Sequence, residues 1–378
     1  MNDETRLLLA ILNKQVISEE CLLNIDYDFF YKLIIRHRLA QQIIAHIQEL
    51  GLNLPKSFIT QLIAFCNKDK LAMLTTVGET IRISKAFKNI RHCFLKGPII
   101  SQEVYANLTA RTCRDLDIWV TPEDFDSAVA ILLELGYVQD YPSYELHGFK
   151  KEFYLKRRHD IAYIHPQRNI LVELHFKVNY FGVNFFDFTS EHQRIISINN
   201  QLITTLENDY HVLYLMIHGA IHAWTRLRWI YDIFLFIQQD KCNLDNLYNI
   251  AKQINCQHFV IYPLIIIKQL FNYSNFQMDL LIANSSNTRC KGIAETSLKF
   301  IYADYELTEG KGAYDKMFFI YRIYLVRIAV KDYKLKALIG DLFKLDKMFP
   351  YVTLPKYCSW GYYLLYPIWI VKYLIKRE

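Results

Sequence analysis

Two aspartates separated by one residue, Asp115 and Asp117, have the clearest chemical potential in this sequence of 378 residues. They begin the segment Asp115–Val120, in which polar and apolar residues alternate as they do along a β-strand. Both carboxylates then point to one face of the strand, ~7 Å apart along it. They repel each other unless a cation lies between them, and Mg²⁺ prefers carboxylate oxygens. The pair indicates a divalent metal site, with a solvated strand face as the alternative.

Upstream of the aspartates, a glycine turn and several cations suit the phosphates of a nucleotide. Lys96 and Gly97 follow a short strand-like run and precede a predicted helix. Glycine there lets backbone N–H groups approach a phosphate, and a helix N-terminus adds partial positive charge. Arg111 and Arg114 carry guanidinium groups, which match phosphate oxygens. Each arginine can equally be structural, Arg114 in an ion pair with Asp115 and Arg111 as a helix-end cation.

A second alternating segment, 171–177, supplies a third carboxylate. Glu173 and His175 fall on one face of this predicted strand, and the apolar Val172 and Leu174 fall on the other. Glu173 can therefore join the aspartates if the two strands are neighbours. In the alternative interpretation, Glu173 is an exposed strand residue and His175 is a hydrogen-bonded core histidine.

The chemistry-bearing residues lie in a mixed segment between two helical regions. Residues 1–90 have apolar residues at helical spacing, whereas 91–185 combines short strand-like runs with helix signals. Helical spacing returns within 186–378. The sequence therefore predicts an α+β fold, with a small mixed β-sheet core over 91–185 embedded in a helical N-terminal region and a helical C-terminal domain.

Shorter patterns predict the elements inside these regions. Besides Asp115–Val120, strands are expected at 153–157, 160–165 and 171–177, and a hairpin turn at 166–169 joins the last two. Helices are expected in the C-terminal domain at 208–239, 243–271, 279–306, 313–345 and 360–376.

The balance of charged residues indicates which classes of binding partner the protein could have. Lys and Arg number 44 against 38 Asp and Glu, and the net charge of +6 is spread along the whole chain. Nucleic-acid-binding proteins concentrate basic residues on one surface, so the sequence argues against DNA or RNA as a partner. The modest positive excess suits an anionic small ligand or an acidic partner.

The cysteines and the chain ends bear on localisation. The eight cysteines form no Cys-x-x-Cys pair, and the first residues lack a secretory signal pattern, so we expect free thiols and a cytoplasmic protein. The Tyr- and Trp-rich stretch 360–371 is too short to span a membrane. We expect a buried helix there, with contact to a membrane surface through this tail as the alternative.

Together these motifs resemble the uncharacterised nucleotidyltransferase-like family within the DNA polymerase beta-type nucleotidyltransferase superfamily. The resemblance spans residues 30–310 and is carried by five stretches: Lys96-Gly97, 111–120, 135–137, 172–176 and 215–233. It implies a metal-dependent nucleotidyltransferase that transfers a nucleoside monophosphate from an NTP, with ATP as the default, to an acceptor hydroxyl with release of pyrophosphate. The acceptor would be a protein, a peptide or a small molecule.

The resemblance also implies roles for residues. It assigns metal binding and catalysis to Asp115, Asp117 and Glu173, which would hold two Mg²⁺ or Mn²⁺ ions. The nucleotide side of the site would consist of Lys96, Gly97, Arg111, Arg114 and His175. Most superfamily members have Gly-Ser or Gly-Gly at the turn, so this chain departs from the pattern there.

Two histidines in the last similar stretch have alternative interpretations. His218 and His222 are four residues apart on a predicted helix, a spacing that can bind zinc, but a third ligand is not evident. The resemblance favours a place in the cleft where the helical domain meets the sheet.

Two other classes of function compete with catalysis. A catalytically silent member of the same fold would act as a binding or scaffold protein. The altered turn favours this alternative, and the three retained carboxylates argue against it. A membrane-associated helical adaptor, acting through the C-terminal tail, is the other alternative.

Overall fold

The computed structural model describes residues 1–180, 183–185, 190–303, 311–329 and 345–375. The helices are α1 (Asp3–Leu12), α2 (Glu20–Leu23), α3 (Tyr27–His37), α4 (Ala40–Leu50), α5 (Lys56–Ala86), α6 (Pro98–Tyr105), α7 (Phe125–Glu134), α8 (Gly148–Arg157), α9 (Asn208–Ile221), α10 (Leu227–Gln238), α11 (Leu244–Gln253), α12 (His258–Phe271), α13 (Phe276–Ser285), α14 (Thr288–Tyr302), α15 (Lys311–Ile328) and α16 (Gly361–Ile375). The strands are β1 (His92–Phe94), β2 (Asp115–Val120), β3 (Val138–Tyr141), β4 (Asp160–His165), β5 (Ile170–His175), β6 (Asn179–Tyr180), β7 (Val183–Asn184), β8 (Gln193–Ile198) and β9 (Gln201–Leu206).

Seven of these strands form one mixed sheet in the order β3-β4-β5-β2-β1-β9-β8. The central strand β2 runs antiparallel to β1 and parallel to β5. In the parallel pair, Asp117 lies opposite Glu173 and Trp119 lies opposite His175. The predicted α+β fold, a mixed sheet with helical flanks, is confirmed.

Strand β2 is central because its apolar residues are buried on one face of the sheet. Leu116, Ile118 and Val120 are fully buried, and they belong to the same hydrophobic cluster as Ala128 and Leu132 of α7. Side chains alternate along a strand, so the two aspartates project from the opposite face. The alternation of polar and apolar residues in β2 therefore determines which face of the sheet carries the carboxylates of Asp115 and Asp117.

The opposite face of the sheet is covered by helices from both ends of the chain. Trp119, on the same face as Asp117, belongs to a second and larger hydrophobic cluster. That cluster joins residues of α1, α3 and α4 to residues of α9, α10 and α12. The N-terminal and C-terminal helical regions thus share one core, and they meet over the polar face of the sheet.

The predicted strand at 153–157 is wrong, because these residues form the last half of α8. Locally the run of aromatic and aliphatic residues looks like a strand. The helix places Phe149 and Phe153 on one side, four residues apart, and both rings contact Phe349. Phe349 is distant in the sequence from both residues. The local sequence pattern therefore could not indicate that these residues form a helix.

The hairpin of β8 and β9 was not predicted. Asn199 and Asn200 both have positive φ, at 47° and 62°, and form its two-residue turn. An Asn-Asn pair between alternating segments is a hairpin signal that could have been used. Strand β9 pairs with β1 in parallel, and the Thr205 hydroxyl donates a 2.8 Å hydrogen bond to the Phe94 carbonyl. The sheet therefore includes strands beyond residue 185, where the sequence analysis ended the α/β core. The division of the chain into domains stays a prediction.

Three long predicted helices are each divided into two: 208–239 into α9 and α10, 243–271 into α11 and α12, and 279–306 into α13 and α14. Ala223 and Trp224 both have positive φ and separate the first pair, and Asn255 does so in the second pair. In the third pair, the Asn287 side chain accepts a hydrogen bond from the backbone of α14 and so caps its N-terminus.

The last two predicted helices are partly described. Helix α15 covers the first part of 313–345, whose residues 330–344 lie outside the described ranges, and α16 matches 360–376 up to Ile375. The expectation of a buried helix at 360–371 is wrong for much of this stretch, because Trp360, Leu364 and Ile368 have exposed fractions of 63, 65 and 68%. None of the described helices combines the length and the apolar character needed to cross a bilayer. Contact of the tail with a membrane surface stays a prediction.

A buried carboxylate ties α5 to the far end of the sheet and gives a testable pH dependence. Glu79 accepts hydrogen bonds from Arg82 and Tyr137, each at 2.9 Å, and from Arg168. Burial alone would raise the pKa of Glu79, but the hydrogen bonds from Arg168, Tyr137 and Arg82 outweigh it and lower the pKa. Because the pKa of Glu79 is lower in the folded protein than its value of 4.5 in the unfolded chain, the ionised carboxylate stabilises the fold at pH values above 4.5. This stabilisation is lost as the pH falls through the pKa of the folded protein.

We therefore expect Glu79→Gln to lower the free energy of unfolding by about 2–3 kcal/mol at neutral pH. The difference from wild type should shrink as the pH falls below 4.5, the unfolded pKa. Urea unfolding across this pH range measures it, with Glu134→Gln on the exposed side of α7 as the control. A difference that is independent of pH would contradict the proposed role of the Glu79 charge.

Candidate functional site

The candidate site is centred on Asp117, whose carboxylate is buried in the middle of the sheet. Strand β1 ends beside it, where the Leu95 amide donates a 3.0 Å hydrogen bond to the Asp117 carbonyl. The next side chain, Lys96, reaches the Asp117 carboxylate, with 2.7 Å between Nζ and Oδ1. The two side chains are only 9% and 1% exposed, so this ion pair is almost completely removed from solvent.

Strand β5 adds the other polar groups of the site. His175 Nε2 lies 3.2 Å from Asp117 Oδ1 and 3.9 Å from Glu173 Oε2. One ligand atom from each of Asp117, Glu173 and His175 lies within 4.8 Å of the other two. The parallel register of β2 and β5 is the cause, because it places the two carboxylates side by side. Three potential metal ligands therefore converge here, and two of them, Asp117 and Glu173, are residues for which the sequence predicts metal binding; that role stays a prediction.

An unsatisfied oxygen shows that the group fits a cation. Asp117 Oδ2 is buried and has no hydrogen-bond partner among the residues that the structure describes. A buried carboxylate oxygen without a partner is costly, and a bound cation would satisfy it. Two carboxylates suit Mg²⁺ or Mn²⁺, while the imidazole is a softer ligand than Mg²⁺ prefers.

The two carboxylates of this group have opposite pKa shifts. Burial alone would raise the pKa of Asp117, but the Lys96 charge and the His175 hydrogen bond outweigh it and hold the pKa far below its usual range. Burial and then the Asp117 charge raise the pKa of Glu173 to about 9. Asp117 is therefore ionised at neutral pH, whereas Glu173 needs a further positive charge nearby to lose its proton.

Helix α9 closes the site from the C-terminal region. His218 Nε2 lies 3.4 Å from Lys96 Nζ, so it accepts a hydrogen bond from the ammonium. Burial and the Lys96 charge lower the pKa of His218 well below its usual value, and the same causes lower that of His222 to about 4. Both histidines are neutral and contact the Trp229 ring. A place for both histidines in a cleft between the helices and the sheet, which the resemblance implied, stays a prediction.

Asp115 lies on the same face of β2 as Asp117 but does not belong to the three-residue ligand group. It is partly exposed, and its charge is coupled to the guanidinium of Arg38, at the C-terminal end of α3. Arg114 and Arg226 also act on Arg38, and burial followed by the Arg226 charge lowers the pKa of Arg38. Arg38 therefore interacts electrostatically with Asp115 and with two further arginines, Arg114 and Arg226.

Arg38 is a candidate site residue that the sequence did not single out. It follows a helix, where a basic residue is usually explained by the helix dipole, so no local signal distinguishes it. Its position depends on contacts between α3 and α10: the Leu227 amide donates to His37 Nδ1 at 3.0 Å, and Arg226 donates to the Arg36 carbonyl at 3.0 Å. Only the folded chain brings these helix ends together.

The glycine turn has the conformation that the sequence required. Gly97 has a φ of 74°, and a Cβ atom at this position would lie 3.1 Å from Cys113 Sγ. Glycine is therefore needed both for its backbone and for space. Pro98 begins α6 and has no N–H group, so the turn offers one backbone donor fewer than other residues would give.

Arg111 lies deeper than its predicted role in phosphate binding would require. Its Nε donates a 2.8 Å hydrogen bond to Asp232 Oδ2 on α10, and both side chains are at most 3% exposed. The Tyr105 hydroxyl donates to the other oxygen of Asp232 at 2.7 Å. Arg111 thus joins the core to α10, while Arg114 is exposed at the mouth of the site. Contact of either arginine with phosphate stays a prediction.

Comparison with known proteins agrees with the resemblance seen in the sequence. Residues 24–272 match a family described as uncharacterised nucleotidyltransferase. No curated protein and no solved structure gives a significant match. The matched region is more than half of the chain and contains every candidate residue from Arg38 to His222. The chain is therefore a member of the uncharacterised nucleotidyltransferase family.

Proposed function

We propose that this protein is a metal-dependent enzyme that transfers a nucleoside monophosphate from an NTP, with ATP as the first candidate, to an acceptor hydroxyl. The observation that carries the proposal is the convergence of Asp117, Glu173 and His175 in a chain of the nucleotidyltransferase family. In the reaction, a bond forms between the acceptor oxygen and the α-phosphorus. The bond to the bridging oxygen breaks, pyrophosphate leaves, and the acceptor proton passes to water.

The metal would be held by Asp117 and Glu173, with His175 beside them and Asp115 at the mouth of the site. A divalent ion bound there supplies positive charge that lowers the pKa of an acceptor hydroxyl and stabilises charge on phosphate oxygens. The buried and unsatisfied Asp117 Oδ2 supports this assignment. Mg²⁺ and Mn²⁺ are the proposed ions.

Positive side chains of the chain itself would bind and orient the triphosphate. Lys96 lies next to the ligand group, Arg114 precedes Asp115 in the chain, and Arg38 interacts electrostatically with Asp115, Arg114 and Arg226. Guanidinium groups bind phosphate oxygens in pairs and with fixed direction. We propose that these arginines hold the β- and γ-phosphates, so that the α-phosphate lies near Asp117.

A catalytically silent binding protein is the second candidate, and one contact favours it. The Lys96 ammonium already neutralises Asp117, so the fold does not need a metal to keep this carboxylate charged. A silent protein would still bind a nucleotide through its arginines, but it would transfer nothing.

The test is nucleotide transfer by the full chain. The protein is incubated with Mg²⁺ or Mn²⁺ and each α-labelled NTP in turn, alone and with a cell lysate, and the label is followed into protein and small molecules. We expect metal-dependent transfer of label from at least one NTP. Nucleotide binding without transfer under every condition would support the silent fold and overturn the enzymatic proposal.

Arg38 offers a test of the triphosphate assignment. Arg38→Gln should raise KM for the NTP about tenfold with little change in kcat, because it removes one charge-assisted contact worth ~1.4 kcal/mol. The measurement is steady-state transfer at varied NTP concentration, with Arg6→Gln on the exposed face of α1 as the matched control. An unchanged KM would remove Arg38 from the phosphate site.

A further inference from the structure

One carboxylate oxygen of Asp117 already forms an ion pair with the side chain of Lys96. Oδ1 lies 2.7 Å from Lys96 Nζ and 3.2 Å from His175 Nε2, and only Oδ2 lacks a partner among the described residues. In a site with two metals ~3.5–4 Å apart, carboxylates between the ions bind both of them. Asp117 has one oxygen left for a metal, and its other oxygen faces an ammonium.

The Lys96 ammonium is held in place and is not a mobile surface charge. The side chain is 9% exposed, and its Nζ also donates to His218 Nε2 at 3.4 Å. Neutral His218 accepts this hydrogen bond from the opposite side of the cleft. Moving the ammonium away would leave Asp117 without its buried counterion, which strongly disfavours the movement.

The remaining carboxylate, Asp115, does not complete a second metal site in this arrangement. It is outside the group of converging ligand atoms formed by Asp117, Glu173 and His175. It is partly exposed, and its charge acts on the guanidinium of Arg38. Of the two aspartates that would share a second ion, Asp117 already faces the Lys96 ammonium, and Asp115 does not converge with the other ligand atoms.

We propose that this chain binds one divalent ion, held by Asp117 Oδ2 and Glu173 with His175 beside them, and that Lys96 replaces the second ion of a two-metal site. The ammonium supplies charge, but unlike a metal it has no open coordination position for an acceptor oxygen. Activation of the acceptor thus depends on the single metal, and Lys96 compensates negative charge beside it. The inference deepens the proposed function and rests on it for the reaction, while the number of ions can be measured independently.

The experiment counts Mn²⁺ ions on the full chain by equilibrium binding and electron paramagnetic resonance, with and without a non-hydrolysable ATP analogue. We expect one Mn²⁺ per chain and no signal from a magnetically coupled pair of ions. Asp117→Asn should abolish this binding. Two coupled ions on the wild-type protein, or none, would overturn the inference.

A variant without the Lys96 charge tests whether this ammonium takes the place of a second metal ion. Lys96→Met removes the charge but keeps an unbranched side chain that is one atom shorter, and we expect it to bind a second Mn²⁺, detected as a coupled pair. Lys150→Met is the matched control, because Lys150 is also partly buried but donates to the Phe349 carbonyl, away from the site. A folded Lys96→Met protein that still binds one ion would refute the role of Lys96. If circular dichroism shows that this variant is unfolded, the wild-type ion count decides the matter.

The two proposals fail in different ways. One bound Mn²⁺ without transfer of any nucleotide would refute the proposed function and keep the metal inference. Nucleotide transfer with two coupled ions on the wild-type protein would keep the function and refute the role of Lys96.

Discussion

Asp117→Asn is expected to reduce nucleotide transfer by about 10³-fold or more. Asparagine keeps the size of the side chain but removes the charge that orients Lys96 and would bind the metal. The measurement is single-turnover transfer of labelled nucleotide at saturating NTP and metal. Asp140→Asn, an exposed aspartate on β3 of the same sheet, is the control and should keep full activity.

Loss of stability must be separated from loss of chemistry in this variant. Asp117→Asn leaves the Lys96 ammonium buried without its counterion, so the free energy of unfolding should fall by about 3–5 kcal/mol. Glu173→Gln avoids this complication, because the Glu173 side chain is 30% exposed and is not the main partner of Lys96. It should stay folded and also lose metal binding. Full transfer by both folded variants would refute the mechanism.

A similarly large loss of stability is expected from Arg111→Met. Among the described residues, the change leaves the buried Asp232 carboxylate with the Tyr105 hydroxyl as its one remaining hydrogen-bond donor, and breaking such a pair costs about 3–5 kcal/mol. Urea unfolding measures the loss. Arg6→Met, which breaks the exposed pair with Asp3, is the control and should cost less than about 1 kcal/mol.

A second variant distinguishes the two roles open to Arg111. If its role is structural, Arg111→Met combined with Asp232→Asn should recover part of the lost stability, because the unpaired buried charge is gone. If Arg111 binds phosphate, as the sequence predicted, Arg111→Met should unfold like the wild type and show a raised KM for the NTP. That outcome would contradict the structural assignment.

The parts of the site that lie on one strand could be predicted from the sequence. Alternation within Asp115–Val120 and within 171–177 was sufficient to place Asp117, Glu173 and His175 on polar faces, because side-chain direction on a strand depends only on position. The structure then shows that these two strands are neighbours in parallel register. Local periodicity and the resemblance were together enough for the core of the site.

Contacts between distant segments could not be predicted in this way. The pair of Arg111 with Asp232 joins residues 121 apart, and the contact of Lys96 with His218 joins residues 122 apart. Both depend on how the C-terminal helices pack on the sheet, and no pattern within a single element encodes that packing. The same limitation explains α8, whose helix is stabilised by aromatic contacts to Phe349.

The position of β1 between β2 and β9 has a consequence for dissecting this chain. Strand β9 satisfies the outer backbone groups of β1, and it comes from residues 201–206. A fragment that ends at residue 185 would present the unpaired amides and carbonyls of β1 to neighbouring copies. We expect such a fragment to self-associate through this open edge, so a minimal catalytic unit has to include the hairpin and the helix that carries His218.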